Sequence, residues 1–209
     1  MRYGFPMILP TIAERIMWSA LHLFDVIKSR ILCWVWGIGP GRSILFQGKT
    51  LLRAHHTGDI TIGDQVVFNS RFSTNPVGLA NPTFLDTRAG GRISIGRNCG
   101  FSSVIISSRS SVRIGNNVLV GGNVRIFDHD FHAVEWQNRR PPENRAAART
   151  SPVVIEDDVF IGTNAVLLKG TCIGARSIVA AGSVVFGLNV PPDSLVKGNP
   201  ATITVRKHS

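Results

Sequence analysis

The residues best suited to chemistry stand in one short run, Asp128-His129-Asp130-Phe131-His132. Histidine titrates closest to neutral pH, which suits a group that takes a proton from a reacting hydroxyl. Asp128 and Asp130 flank His129 and are placed to orient an imidazole and stabilise its charged form. The remaining histidines, His22, His55, His56 and His208, are scattered. Trp136 and four arginines, Arg139, Arg140, Arg145 and Arg149, follow the run before Pro152.

The spacing of apolar residues shows what must hold this segment. Ile155, Ile161, Leu167, Ile173, Val179 and Val185 stand six residues apart. Two positions before each lies a small or β-branched residue: Val153, Val159, Ala165, Thr171, Ser177 and Ser183. A period of six fits neither an α-helix nor a simple alternating strand, and a fixed internal repeat marks a solenoid. Each hexad supplies one short strand and one turn, and three hexads close a triangular coil. Eighteen residues then return the chain to the same face, which stacks Ile155 on Ile173, Ile161 on Val179 and Leu167 on Val185. The period breaks twice, from Phe68 to about Gly91 and from Phe127 to Pro152. A loop that leaves a rigid scaffold between regular coils is a favoured place for function.

Another period governs the start of the chain. Ile12, Ile16, Ala20, Leu23, Ile27, Ile31 and Trp34 recur at steps of three and four, which predicts a helix from Pro10 to about Trp36. Thr11 suits its N-cap and Gly37 its stop. Met17, Trp18, Leu21 and Phe24 widen the apolar side. The surplus suits packing on the β-domain or a neighbouring subunit, or lying on the inner membrane surface. Residues 1–40 are thus expected to form a helical segment and 41–209 the repeat domain, with an extruded loop at about 127–152.

Composition narrows the partners. A net charge of +10 attracts anions such as nucleic acid, anionic lipid or a polyphosphate cofactor. Aromatics interleaved with basic residues are lacking outside the Trp136 segment, which argues against nucleic acid. Cys33, Cys99 and Cys172 lie far apart and suggest neither a disulfide framework nor a zinc site. The first residues lack the order of a secretory signal, and charged residues interrupt every apolar stretch before ~20 residues. A cytoplasmic protein is expected.

On three features the sequence resembles the hexapeptide-repeat acyltransferases. They are the repeat itself, as in Ile155-Glu156-Asp157-Asp158-Val159-Phe160-Ile161-Gly162, the histidine segment before the last regular coils, and the ending with Ala180-Ala181-Gly182-Ser183 and Val196-Lys197-Gly198-Asn199-Pro200. The resemblance runs from about Thr50 to Arg206. It is to the branch of galactoside and maltose O-acetyltransferases and of acetyltransferases in bacterial surface polysaccharide synthesis. It implies a left-handed parallel β-helix, which with the N-terminal α-helix and the extruded loop read above makes a mainly β chain. It also implies a homotrimer, acetyl-CoA as co-substrate, a sugar or glycan acceptor and no metal. Sites lie where the loop of one subunit meets the coils of the next.

Residue by residue, the resemblance points to the Thr163 N–H as oxyanion donor and to Ala181 and Gly182 as the pantetheine groove. Lys197, Arg206 and Lys207 suit the CoA phosphates, and Asn199-Pro200 the adenine side. Phe160, Trp136 and Arg139 are the expected acceptor contacts. Phe160 stands where the family often has Trp, keeping an aromatic wall without the indole donor. Galactoside-type enzymes use the first histidine of an H-x-x-H pair, and many polysaccharide relatives carry only the second. This chain has both, and the balance leans to His132 as the base. The other readings are a structural β-helix module without activity and a γ-type carbonic anhydrase, which needs a third histidine.

Overall fold

The computed structural model describes residues 12–39, 41–75, 77–87, 90–140 and 144–206. Thr11, Lys207 and His208 lie outside the described residues. The chain is a left-handed parallel β-helix preceded by one α-helix, with its strands in three sheets wrapped around a triangular prism. The first face begins with Leu45–Gly48, Val67–Ser70 and Gly100–Ser102, and continues through Leu119–Gly122, Phe160–Ile161, Ile178–Val179 and Ser194–Gly198. The second carries Thr50–Arg53, Thr83–Thr87, Ile105–Ser108, Arg125–Phe127, Val166–Leu168 and Val184–Val185. The third carries Ile60–Ile62, Arg92–Ile95, Ser111–Ile114, Val153–Ile155, Cys172–Ile173 and Asn189–Val190.

The six-residue period sets the register. Ile155 pairs with Ile173, Ile161 with Val179 and Leu167 with Val185, and all six are buried. Burying each such side chain is worth roughly 1.5–3 kcal/mol. Phe46, Phe68 and Phe101 extend the first face's inner column, with ring centroids 4.8 and 4.7 Å apart. The small residues of the repeat are buried beside the corners, where their hydroxyls find partners. Ser177 Oγ donates to the Pro191 carbonyl and accepts the Ser194 N–H, each at 3.1 Å. At the corner from the third face to the first, Gln65, Asn98, Asn117, Asp158, Arg176 and Asp193 have φ between 56 and 60°. Asn and Asp tolerate this left-handed conformation best, which accounts for their abundance there.

Two expectations need correction. The stretch from Phe68 to Gly91 is not irregular throughout, because Thr83–Thr87 is a regular rung that pairs Leu85 with Ile106. A buried carboxylate at Asp86 masks the apolar pattern there. The helix forms over Ile12–Val35, but its apolar stripe is not its packed side. Ile16, Leu23, Ile27, Ile31 and Trp34 face solvent in the single chain, Trp34 at 83% exposure. The inward side carries Asp25 and Ser29, both buried.

The cause is the open edge of the first rung. An edge strand presents unpaired backbone donors, and the helix supplies acceptors for them. Ser29 Oγ accepts the Phe46 N–H at 2.8 Å, and Asp25 Oδ1 accepts the Gly48 N–H at 3.4 Å. Lys28 at 2.9 Å and the Arg71 guanidinium neutralise Asp25. Burial pushes the Asp25 carboxyl up, but Lys28 and Arg71 outweigh it and hold the group below the usual carboxylate range. Among the described residues no helix is long and apolar enough to cross a membrane.

Candidate active site

The loop leaves the prism between Arg125–Phe127 on the second face and Val153–Ile155 on the third. Its first residue, Asp128, is fully buried. Asp128 accepts the N–H groups of Arg109 and Ser110, each at 2.8 Å, and the Ser108 hydroxyl at 2.7 Å. Its Oδ1 also lies 2.9 Å from His129 Nδ1. Burial pushes the Asp128 carboxyl up, but the bonds from His129, Ser108, Arg109 and Ser110 together hold it below the usual range. A charged carboxylate at Nδ1 favours the tautomer with the proton there, which leaves Nε2 as the basic nitrogen of His129.

Asp130 does not orient an imidazole. Its Oδ1 lies 2.6 Å from Lys169 Nζ on the following coil. Asp128 therefore anchors the loop to the coil before it and Asp130 to the coil after it. His132 is exposed, and its Nδ1 lies 3.0 Å from the Asn144 amide nitrogen. Phe131 packs between, with its ring centroid 5.0 Å from Phe127 and 4.7 Å from His129.

Two clefts meet at the histidines. One of about 560 Å³ lies toward the earlier coils and includes Asp86, Ser107, Arg109 and Arg145 with His129 and His132. The other, of about 420 Å³, lies toward the later coils and includes Arg139 and Leu168 with both histidines. Asp86, Ser107 and Arg109 were not singled out from the sequence. Their available signal is the polar run Ser107-Ser108-Arg109-Ser110 at the end of a strand, with Ser107 and Ser108 both buried.

The residues expected to meet CoA occupy another edge of the prism, at the corner from the first face to the second. Gly182 N–H donates to the Thr163 carbonyl at 2.9 Å, and a Cβ on Gly162 would lie 2.5 Å from Ala181 N. These rungs are close-stacked, while Gly182, at φ 72°, has open space where a side chain would project. Lys197, Asn199 and Pro200 sit at the same end of the first face, where Gly198 N–H donates to Ser183 Oγ at 3.2 Å.

Arg206 does not join them. The strand Ala201–Val205 runs back across the face, and Arg206 N–H donates to the Asp193 carbonyl while its side chain reaches the Arg176 carbonyl. Phe160 lies on the outward side of the first face and Trp136 in an exposed 3-10 turn, so neither lines the histidine clefts. Within one chain the structure gathers His129, His132, Asp128 and Arg139 at the loop. It does not bring Thr163, Ala181, Gly182 or Phe160 to them. Outward on the first face, Val67, Leu119 and Phe160 form an exposed apolar column, with Leu119 at 56% exposure.

Residues 152–187, the regular coils after the loop, match the family model described as bacterial transferase hexapeptide (six repeats). In these coils the chain is similar to the hexapeptide-repeat transferases. Escherichia coli WbbJ, named for lipopolysaccharide biosynthesis O-acetyl transfer, is 34% identical over 110 residues, covering 51% of this chain and 55% of WbbJ. A hexapeptide-repeat acetyltransferase from Vibrio cholerae, solved with acetyl coenzyme A, superposes with a TM-score of 0.55 at 26% identity. That alignment covers 93% of this chain and 86% of the other. A galactoside acetyltransferase in complex with coenzyme A gives a TM-score of 0.50 at 28% identity over 67% of this chain and 63% of its own. The chain spans about half the length of the curated relatives it matches, 45% of a putative acetyltransferase from Schizosaccharomyces pombe and 55% of WbbJ.

Proposed function

We propose that this hexapeptide-repeat protein transfers an acetyl group from acetyl-CoA to a sugar hydroxyl in bacterial surface polysaccharide synthesis, with His129 as general base. The observation that carries the reading is the buried Asp128–His129 pair standing between two clefts. The names of the E. coli and V. cholerae proteins support the substrate classes.

The chemistry follows from the side chains. The acceptor hydroxyl binds beside His129, whose Nε2 takes its proton as the oxygen attacks the thioester carbonyl. Asp128 stabilises the imidazolium that forms. The Thr163 N–H is the proposed donor to the tetrahedral oxyanion. As the carbon–sulfur bond breaks, His129 returns the proton to the departing thiolate, giving an acetyl ester and CoA. No covalent enzyme intermediate is needed, because both substrates meet in one site.

Thr163, Ala181, Gly182 and Lys197 lie on a different edge from His129, so the reading needs a second copy of the chain. The exposed column at Val67, Leu119 and Phe160 suits that copy, in a homotrimer. The helix's outward apolar side, flanked by exposed Arg15 and Arg30, suits an anionic lipid surface on the cytoplasmic side.

The test is transfer of labelled acetyl from acetyl-CoA to a panel of nucleotide sugars and glycan fragments, read with release of free CoA thiol. The product label should be removed by mild alkali, as an ester is, whereas an amide would resist. CoA binding without acceptor-dependent thiol release would leave a structural β-helix module instead.

A further inference from the structure

We propose that the acceptor carries an anionic group, a carboxylate or a phosphate, held by Arg109 and Arg145 beside His129. The inference rests on reading the larger cleft as the acceptor side.

That cleft is lined by two arginines, Arg109 and Arg145, and one carboxylate, Asp86. Asp86 already accepts the Ser107 hydroxyl at 3.0 Å and faces Arg53 at 3.8 Å. Asp128, the other carboxylate nearby, is engaged by the Arg109 backbone and not by its guanidinium. Arg109 Nη2 instead donates to the Arg145 carbonyl at 3.0 Å, which fixes the two arginines side by side. Glu135 pairs with Arg149 and Asp130 with Lys169, so these loop carboxylates are committed elsewhere. Among the described residues, the cleft therefore has more positive than negative charge at its polar end.

The guanidinium fork matches the paired oxygens of a carboxylate or phosphate. The Arg109 N–H and His129 Nδ1 both bond to Asp128 Oδ1, so the anion-binding backbone is registered to the base. An acceptor held by its anionic group would present a hydroxyl to His129 at a set distance, as a positioning contact should. A neutral sugar would offer no charge to the two arginines.

The experiment uses the full chain and three ligands of matched ring, glucose, glucuronate and glucose 1-phosphate. Direct binding is measured by calorimetry, and acetylation is followed separately. One or both anions should bind at least about tenfold more tightly than glucose, the size expected of one charged hydrogen bond. The better anion identifies carboxylate or phosphate as the source. Arg109→Gln and Arg145→Gln should each erase most of that preference without changing the KM for acetyl-CoA. Arg109→Gln keeps the backbone donor to Asp128, so folding should survive, as checked by circular dichroism.

Equal binding of all three ligands, or binding of none, overturns the inference. So does a rise in the acetyl-CoA KM with the ligand preference kept, since the arginines would then serve CoA phosphates. Anion-selective binding without acetyl transfer would sink the acyltransferase reading and leave this inference standing. Acetyl transfer without charge preference would do the reverse.

Discussion

Asp128 Oδ1 and His129 Nδ1 lie 2.9 Å apart, although the two residues are neighbours in sequence. The pairing arises because the chain leaves the strand Arg125–Phe127 while Asp128 is still pinned to the preceding coil. His129 is thereby buried at 6% exposure, held by a charged partner. His132 is exposed, and its ring nitrogen meets the Asn144 amide. The geometry favours His129 as the base, where the resemblance leaned to His132.

His129→Ala should lower kcat by about 10²–10⁴-fold, the usual contribution of a general base. His132→Ala should mainly raise the acceptor KM. Steady-state kinetics with both substrates varied makes the comparison. The opposite order would move the base to His132, and near-full turnover in both variants would end the proposal of base catalysis by this loop.

Asp128→Asn tests the positioning of His129 separately from its presence. The variant keeps the side-chain volume and loses the charge that fixes the imidazole tautomer. We expect kcat to fall with CoA binding intact, and stability at neutral pH to drop by about 1–3 kcal/mol as donors lose their charged acceptor. The pH dependence has a definite sign. The folded carboxyl of Asp128 is lowered, so its contribution is complete above the ordinary carboxylate value of about 4 and fades as pH falls through the folded value. Denaturation curves of wild type and variant should therefore converge below about pH 4. A gap that persists at low pH would mean that the charge is not its source.

Much of this was legible in the sequence because one constraint dominates it. Stacking at eighteen residues forces aliphatic side chains into register, as Ile155 on Ile173 and Leu167 on Val185 show. The histidine loop was visible for the same reason, as a break in that register. What the pattern did not show depends on backbone needs. Hydrophobic period alone would pack the helix by Ile16, Leu23 and Ile27, but the open edge at Phe46 and Gly48 demands acceptors and draws in Asp25 and Ser29. Arg206 was placed with the CoA groove as a charge partner for the phosphates. The antiparallel strand Ala201–Val205 carries it to the far end of the face.

His129 and Gly182 lie on different edges of the prism, so the proposed function predicts that turnover depends on assembly. Light scattering should give a trimer, and Leu119→Glu with Phe160→Glu should yield a folded, inactive monomer. A sharper check mixes His129→Ala with Gly182→Trp chains, each inactive alone. In randomly mixed trimers about a quarter of the sites would combine an intact loop with an intact groove, and activity should return accordingly. No recovery would show that loop and groove of the same chain work together.

The outward side of the helix gives the last prediction. Wild type should sediment with vesicles containing anionic lipid, less so at high salt, because Arg15 and Arg30 flank the apolar stripe. Replacing Leu23, Ile27 and Ile31 by Ser removes three exposed apolar side chains and leaves Asp25 and Ser29 in place to cap the first rung. At roughly 1.5–3 kcal/mol for each buried side chain, the triple change should weaken vesicle binding by at least about a hundredfold. Trimer and turnover with soluble acceptors should be retained. If the triple variant loses the trimer instead, a neighbouring copy covers this face. If wild type stays in the supernatant with anionic vesicles at low salt, the membrane assignment of the helix is wrong.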